Sequence, residues 1–286
     1  MAKHTAAAGA ITGTVAVAAT VTPPIKVRRP TSLPISLLPT SISKQADLAH
    51  SASLLLLFTL RFNSLVRDPV AELWRCIVPL IAIQLAWCIT CLPPVTKAAP
   101  RPADTSEAIA SKKPTSTSTS TSTSRSQRSR PAPKPASPSA SARAIPALLA
   151  TTLSLLPGAP ILLTLLILFG APLTTHLPST ALLATHVSLL ALPPLIYTRG
   201  VDSGIWREIM GFWLPFDGVW GGTVGALVGC WVGAVPIPLD WGREWQAWPV
   251  TLVVGGYGGY VVGKVLGEFA VRGKRIEFGR EEEKDT

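Results

Sequence analysis

The groups in this sequence that could do chemistry are few, and their spacing excludes the common catalytic arrangements. The histidines are His4, His50, His176 and His186. A zinc peptidase sets two histidines four residues apart on one helix face, and no pair here has that spacing. Cys88 and Cys91 form a Cys-x-x-Cys pair. They lack a second pair or a neighbouring histidine, so they do not make a zinc site. With Cys76 they fall in one apolar segment and Cys230 falls in another, where a thiol serves as a small apolar side chain. A phosphotransferase needs basic residues and a histidine converging on phosphate, or a metal held by clustered carboxylates. The short loops on one side of the apolar segments offer only Arg67, Asp68, His176, Asp240, Arg243 and Glu244. No glycine loop leads into Lys-Ser/Thr, so no nucleotide phosphate is cradled. The sequence therefore assigns no catalytic residue, no metal and no cofactor. His186, inside an apolar segment, reads as a hydrogen-bond partner between helices. The alternative is a membrane enzyme or lipid carrier in which His186 and Gln84 line a cavity.

The elements that must position these residues are apolar segments. Of the 286 residues 48% are hydrophobic and 15% charged, against about 25% charged in a soluble domain. The net charge of +10 is concentrated. Between Pro93 and Pro146 nine basic residues face two acidic ones, which is seven of the ten charges. That stretch has no interleaved aromatics and no zinc-finger spacing, which argues against nucleic acid. A basic stretch between apolar segments reads as a cytoplasmic loop.

In chain order, residues 1–45 read as a disordered cytoplasmic tail, with Lys26, Arg28 and Arg29 opposing translocation. Residues 46–92 hold two spans, Leu48 to Val66 and Val70 to Leu92, with Asp47 placed to cap or flank the start of the first and Arg67-Asp68-Pro69 turning between them. Arg61 and Glu72 are within reach of each other, but snorkelling to the interface is the preferred reading of Arg61. Residues 93–146 form a disordered basic linker with a pure Thr-Ser alternation from Thr115 to Ser124. Residues 147–270 hold four more spans: Ala147 to Ala171, Ser179 to Tyr197, Phe216 to Leu239 and Trp248 to Gly267. Arg199 to Pro215 is a polar connection, and Lys264 sits where a long cation reaches the interface. Residues 271–286 are a charged cytoplasmic tail. The fold class is all-α, a polytopic membrane protein with about six transmembrane helices. Charge asymmetry places both termini in the cytosol.

The last two spans carry a distinct pattern. Gly221, Gly225, Gly229 and Gly233 recur every fourth residue, as do Gly255, Gly259, Gly263 and Gly267. On a helix each set makes one ridge without side chains. In water each glycine costs about 1 kcal/mol against alanine. In lipid, small residues let helix backbones approach. These eight glycines are read as a helix-packing or partner face. The loop between the spans runs from Val235 to Pro249 and carries Pro236, Pro238, Asp240, Trp241, Trp245, Trp248 and Pro249. Its prolines end the fifth helix and its tryptophans suit an interface.

The run from Ala234 to Trp241, then Trp245-Gln246, Trp248-Pro249 and the glycine-rich Gly255 to Gly263 segment, closely resembles the Pig-F family. Leu168-Phe-Gly-Ala-Pro-Leu173 and Leu182-Leu183-Ala184 add to the likeness. The likeness is strong over residues 147–270 and one of layout over the first two spans. It implies a multi-pass subunit in the endoplasmic reticulum membrane that serves glycosylphosphatidylinositol (GPI) anchor synthesis. Its partners would be membrane lipid and the GPI ethanolamine phosphate transferases that modify the GPI mannoses, and the catalytic metal would belong to that partner. The long Ser/Thr/Pro/Arg insert departs from a typical member.

Overall fold

The computed structural model describes residues 32–95, 139–239 and 241–276. The described residues form α1 (Ser41–Arg67), α2 (Pro69–Cys91), α3 (Ala140–Leu168), α4 (Leu177–Arg199), a short α5 (Ser203–Met210), α6 (Gly218–Ala234) and α7 (Val250–Val265). All but α5 are long and apolar enough to cross a membrane, counting α6 on to Leu239 and α7 on to Ala270. No strand occurs among the described residues.

Local chemistry fixes the helix ends. Thr40, Asp68, Ser139, Asp202 and Asp217 each accept an amide of the helix they precede, satisfying donors that the first turn leaves free. Pro69 follows its cap at the first helical position, where a missing N–H costs nothing. Pro157 lies in a wide turn, Ser154–Gly158, that bends α3 without breaking it.

α4 is buried on nearly all sides, and α2, α3, α6 and α7 surround it. Its Pro194 has no amide to give the Leu190 carbonyl, and the Gln84 side chain of α2 donates to that carbonyl at 3.3 Å. Thr223 of α6 donates to Ala191 O at 3.0 Å, and Ser188 donates to Ser154 O at 2.6 Å. In hydrocarbon such carbonyls find no water, so neighbouring helices supply the donors. Two apolar clusters flank this polar pinning. One gathers Leu54, Leu73, Leu80 and Val253, the other Trp87, Leu195, Tyr197 and Trp220.

Several boundaries differ from the sequence reading. α1 begins at Ser41, so 41–45 are helical, and Asp47 lies inside the helix rather than capping it. Residues 32–40 run extended against the bundle: Leu38 N–H donates to Cys91 O at 2.9 Å, and Ile35 N–H to Asp217 at 2.9 Å. α3 begins at Ala140, inside the linker drawn to 146, because Ser139 caps it and Arg143 donates to Ile89 O at 2.9 Å. Residues 271–276 fold back, with Lys274 O accepting from Phe216 N–H at 2.8 Å. The remainder of both tails, residues 96–138 of the linker and Asp240 lie outside the described residues.

Candidate functional site

α6 and α7 run antiparallel with their glycine rows facing each other. A Cβ added at Gly225 would fall under 3.0 Å from the Gly259 carbonyl, and one at Gly259 equally close to the Gly225 carbonyl. Gly229 meets Gly255 and Gly221 meets Gly263 in the same reciprocal way. Gly233 meets Thr251 O, and Gly267 meets Asp217 O. The obstructing atoms are backbone, which no rotamer change can move aside. Gly258, on the same helix but off the row, has nothing within 4 Å. The pair therefore packs main chain to main chain, which any side chain on the row would prevent.

The loop joining them is organised by Gln246. Its amide donates to Pro236 O at 2.8 Å and its oxygen accepts the amides of Trp241 at 3.0 Å and Arg243 at 3.2 Å. Trp241 and Trp245 stand exposed with ring centres 5.9 Å apart. Trp248 turns inward, donating to Thr180 Oγ1 at 3.1 Å, and Pro249 is buried beneath it. Pro236 and Pro238 follow the end of α6, Pro236 just before and Pro238 in the middle of a single tight turn, Ile237–Leu239. Gln246 was not among the candidate residues, although the sequence places it between two tryptophans in a loop otherwise poor in amides.

At the end of the bundle where α1 starts and α7 ends, two ion pairs, Arg199–Asp217 buried on both sides and Lys264–Asp47 with a partly exposed carboxylate, tie segments together. Lys264 lies 2.8 Å from the Asp47 carboxylate and donates to Asp47 O, His50 Nδ1 and Ser51 Oγ at 3.0, 3.1 and 3.1 Å. Its ammonium sits 4.4 Å from the centre of the Trp87 ring, which itself stacks on His50 and donates to Asp47 at 2.7 Å. Lys264 is 4% exposed, so it does not reach out to the interface as its position near the helix end suggested. Arg199 and Asp217 pair at 2.7 Å. Asp217 also caps α6 by accepting from Val219 and Trp220, and Arg199 holds the extended segment through Leu33 O at 2.8 Å. Arg199 thus belongs to the bundle and not to a solvated connection. Glu268, four residues from Lys264, pairs instead with Arg272 and accepts from Gly218 N–H.

Toward the opposite end, His186 bridges three helices. Its Nδ1 is 2.8 Å from the Tyr257 hydroxyl and its Nε2 is 2.9 Å from Leu73 O. Both ring nitrogens are committed, one to α7 and one to α2. Arg61, half exposed, reaches Glu72 at 3.2 Å, so the contact that the sequence reading set second to snorkelling does form. All four cysteines are free thiols, and among the described residues no three His, Cys, Asp or Glu side chains converge as a metal-binding group would require.

The model of the GPI biosynthesis protein family Pig-F matches residues 49–268, a stretch that begins in α1 and ends where α7 does. The chain belongs to the Pig-F family. It is similar to glycosylphosphatidylinositol anchor biosynthesis protein 11 of Aspergillus fumigatus, 42% identical over 91% of each chain. The protein of the same name from Neurospora crassa is 39% identical over 85% of this chain and 81% of its own. A PIGF/3-ketodihydrosphingosine reductase fusion protein of Schizosaccharomyces pombe is 37% identical over 42% of this chain and 25% of its own. No solved structure matches the chain. The Pig-F match takes in both glycine rows, the Gln246 loop and the residues of both ion-pair clusters except Asp47.

Proposed function

We propose that this Pig-F protein is a non-catalytic subunit that binds and stabilises a GPI ethanolamine phosphate transferase in the endoplasmic reticulum membrane. In that role it supports ethanolamine phosphate addition to the mannoses of the GPI precursor. The observation that carries the reading is how the buried polar side chains are used. His186, Gln84, Lys264, Arg199 and Asp217 bind other helices and their carbonyls, which serves a rigid scaffold. The outer faces of α3, α6 and α7 stay apolar and exposed, with Leu149, Ile161, Val228, Trp231 and Phe269 among them. Such faces suit lipid or the membrane helices of a partner.

The test is purification of the tagged chain in mild detergent, with identification of retained proteins and assay of ethanolamine phosphate transfer. Co-purification of a transferase, and activity only when it is present, is the expected result. Transfer by the chain alone would overturn the subunit reading. In the proposed orientation both termini are cytosolic. A glycosylation acceptor inserted between Gly242 and Arg243 is then modified while one at Ser120 is not; glycan at Ser120 would reverse it.

A further inference from the structure

Two guanidiniums on α1 and α2 share one buried carboxylate. Arg61 Nη1 lies 3.2 Å from Glu72 Oε1, and Arg75 Nη1 lies 3.4 Å from Glu72 Oε2. Glu72 is 2% exposed, whereas the arginine side chains are 53% and 68% exposed. One carboxylate thus anchors two cations and leaves a net positive charge. Each guanidinium has five N–H donors in a planar fork, and each uses one nitrogen on Glu72. The rest are open to a further acceptor.

Their depth is informative. Arg61 lies six residues before Arg67, the last of α1, and Arg75 six residues after Pro69, the first of α2. At 1.5 Å per residue that is about 9 Å inside the helix ends. A long arginine stem carries its head from there to the headgroup level of the leaflet. A charge held at that boundary is costly unless something neutralises it. Beside the cluster a narrow cleft of ≈ 20 Å³ opens, with Leu57 and Phe58 half-buried and Leu65, Val253, His186 and Tyr257 buried in its lining. The walls are mostly apolar, and both His186 nitrogens are occupied as described above.

We propose that this cleft is a phospholipid site. The headgroup phosphodiester takes the two guanidiniums, and an acyl chain lies across the mouth of the cleft against Leu57 and Phe58. Phosphate fits because its oxygens match the donor geometry of the fork, and a lipid fits because the charges sit on spans beside an apolar cleft. Glu72 acts as a positioning residue: it fixes the guanidiniums before the lipid arrives. The site does not depend on the transferase reading, since its parts all belong to this chain.

The test uses the full chain in bilayer discs doped with a phosphatidylethanolamine whose acyl chain carries a photoreactive diazirine. Labelling is expected on peptides bearing Leu57 or Phe58. Arg75→Gln is expected to reduce it several-fold, and the triple variant R61Q/E72Q/R75Q about tenfold or more, the scale of charge-assisted hydrogen bonds lost. The triple variant removes the carboxylate together with its partners, so no buried charge is stranded. Its thermal transition is measured alongside, and if it does not fold Arg75→Gln decides. Arg67→Gln, an equal loss of charge at the turn, leaves labelling unchanged. Equal labelling of the native chain and the foldable variants would overturn the proposal. So would equal labelling by a diazirine diacylglycerol, which would make the cleft an acyl-chain contact without phosphate recognition. Complete displacement of the lipid by inorganic phosphate would assign the cluster to a free anion and overturn the lipid.

Discussion

The α6–α7 pair and the α1–α2 pair are both consecutive spans joined by a short connection, and they are built by opposite means. In α6–α7 the contact is main chain on main chain, with a Cβ excluded along the row from Gly221 to Gly267. In α1–α2 large side chains fill the space between helices: Leu54, Leu65, Leu73 and Leu80 are all at most 3% exposed. An ion pair crosses between them, and the cleft opens beside it. Lipid tails are as apolar as leucine, so neither pair gains from the hydrophobic effect that drives soluble packing. Each gains from dispersion, which demands close contact and can be met by small atoms brought near or by large ones interlocked. The consequence is a reversal of tolerance. Enlarging side chains harms the first pair and truncating them harms the second.

The largest effect is expected where α1 meets α7. Lys264→Met removes the buried ammonium and its hydrogen bonds to Asp47 O, His50 and Ser51, and leaves the partly exposed Asp47 carboxylate with Trp87 but without its counter-charge; together these losses cost about 3 kcal/mol. The additional change Asp47→Leu should recover part of that loss, which thermal unfolding in detergent would reveal; a double variant no better than the single would mean that packing around Lys264, not charge, is what matters. Next comes Leu80→Ala in α2, at about 2–5 kcal/mol for a leucine deleted from a filled core. A change in the reverse sense, one carbon added by Gly225→Ala or Gly259→Ala, should cost about 1–3 kcal/mol by overpacking. Leu80→Ala without effect, or Gly225→Ala as harmless as Gly258→Ala, would erase the contrast between the pairs. Gly258 is the internal control because it meets nothing within 4 Å. Val228→Leu and Val262→Leu, on exposed positions of the same two helices, serve likewise. If a glycine-row variant stays folded and abundant but no longer retains the transferase, the row also shapes the partner surface.

The six spans were legible because span length and hydropathy are local properties of the chain. So was the register of the glycine rows, since a four-residue repeat is itself a statement about one helix face. What each row faces was not fixed by the repeat. The misread residues share one feature: each has a partner on a segment that is not its neighbour in the chain. Lys264 looks like a snorkelling cation until Asp47, 217 residues earlier, is brought against it. Arg199 looks like the start of a polar connection until Asp217 and the extended segment at Leu33 close over it. Position relative to a helix end predicts depth, but pairing depends on the packing of helices that are not neighbours in the chain. The cap at Asp217 could have been found, because an aspartate immediately before Gly218-Val-Trp is a helix start by its chemistry alone. Gln246 could not, since its role rests on the shape of the loop it stabilises.

The smallest expected effect concerns the histidine that joins the two pairs. His186 binds Tyr257 of α7 through one nitrogen and Leu73 O of α2 through the other. Interhelical hydrogen bonds in membranes average about 0.6 kcal/mol, because the separated helices also find partners. Tyr257→Phe removes the hydroxyl and keeps the ring that stacks on Phe58 at 5.6 Å. Stability should therefore fall by about 0.6 kcal/mol, and retention of the transferase together with the pattern of GPI intermediates should stay as in the native chain. His186→Asn should behave similarly, since the amide supplies a donor and an acceptor of its own. This pair of substitutions separates scaffold from catalyst. A structural hydrogen bond lost at this cost leaves turnover untouched, whereas a proton-transferring histidine would stop it. Accumulation of GPI precursors lacking ethanolamine phosphate, in a His186→Asn chain that remains folded and still holds its partner, would return His186 to the chemistry and require the cleft beside it to be read as a reaction site.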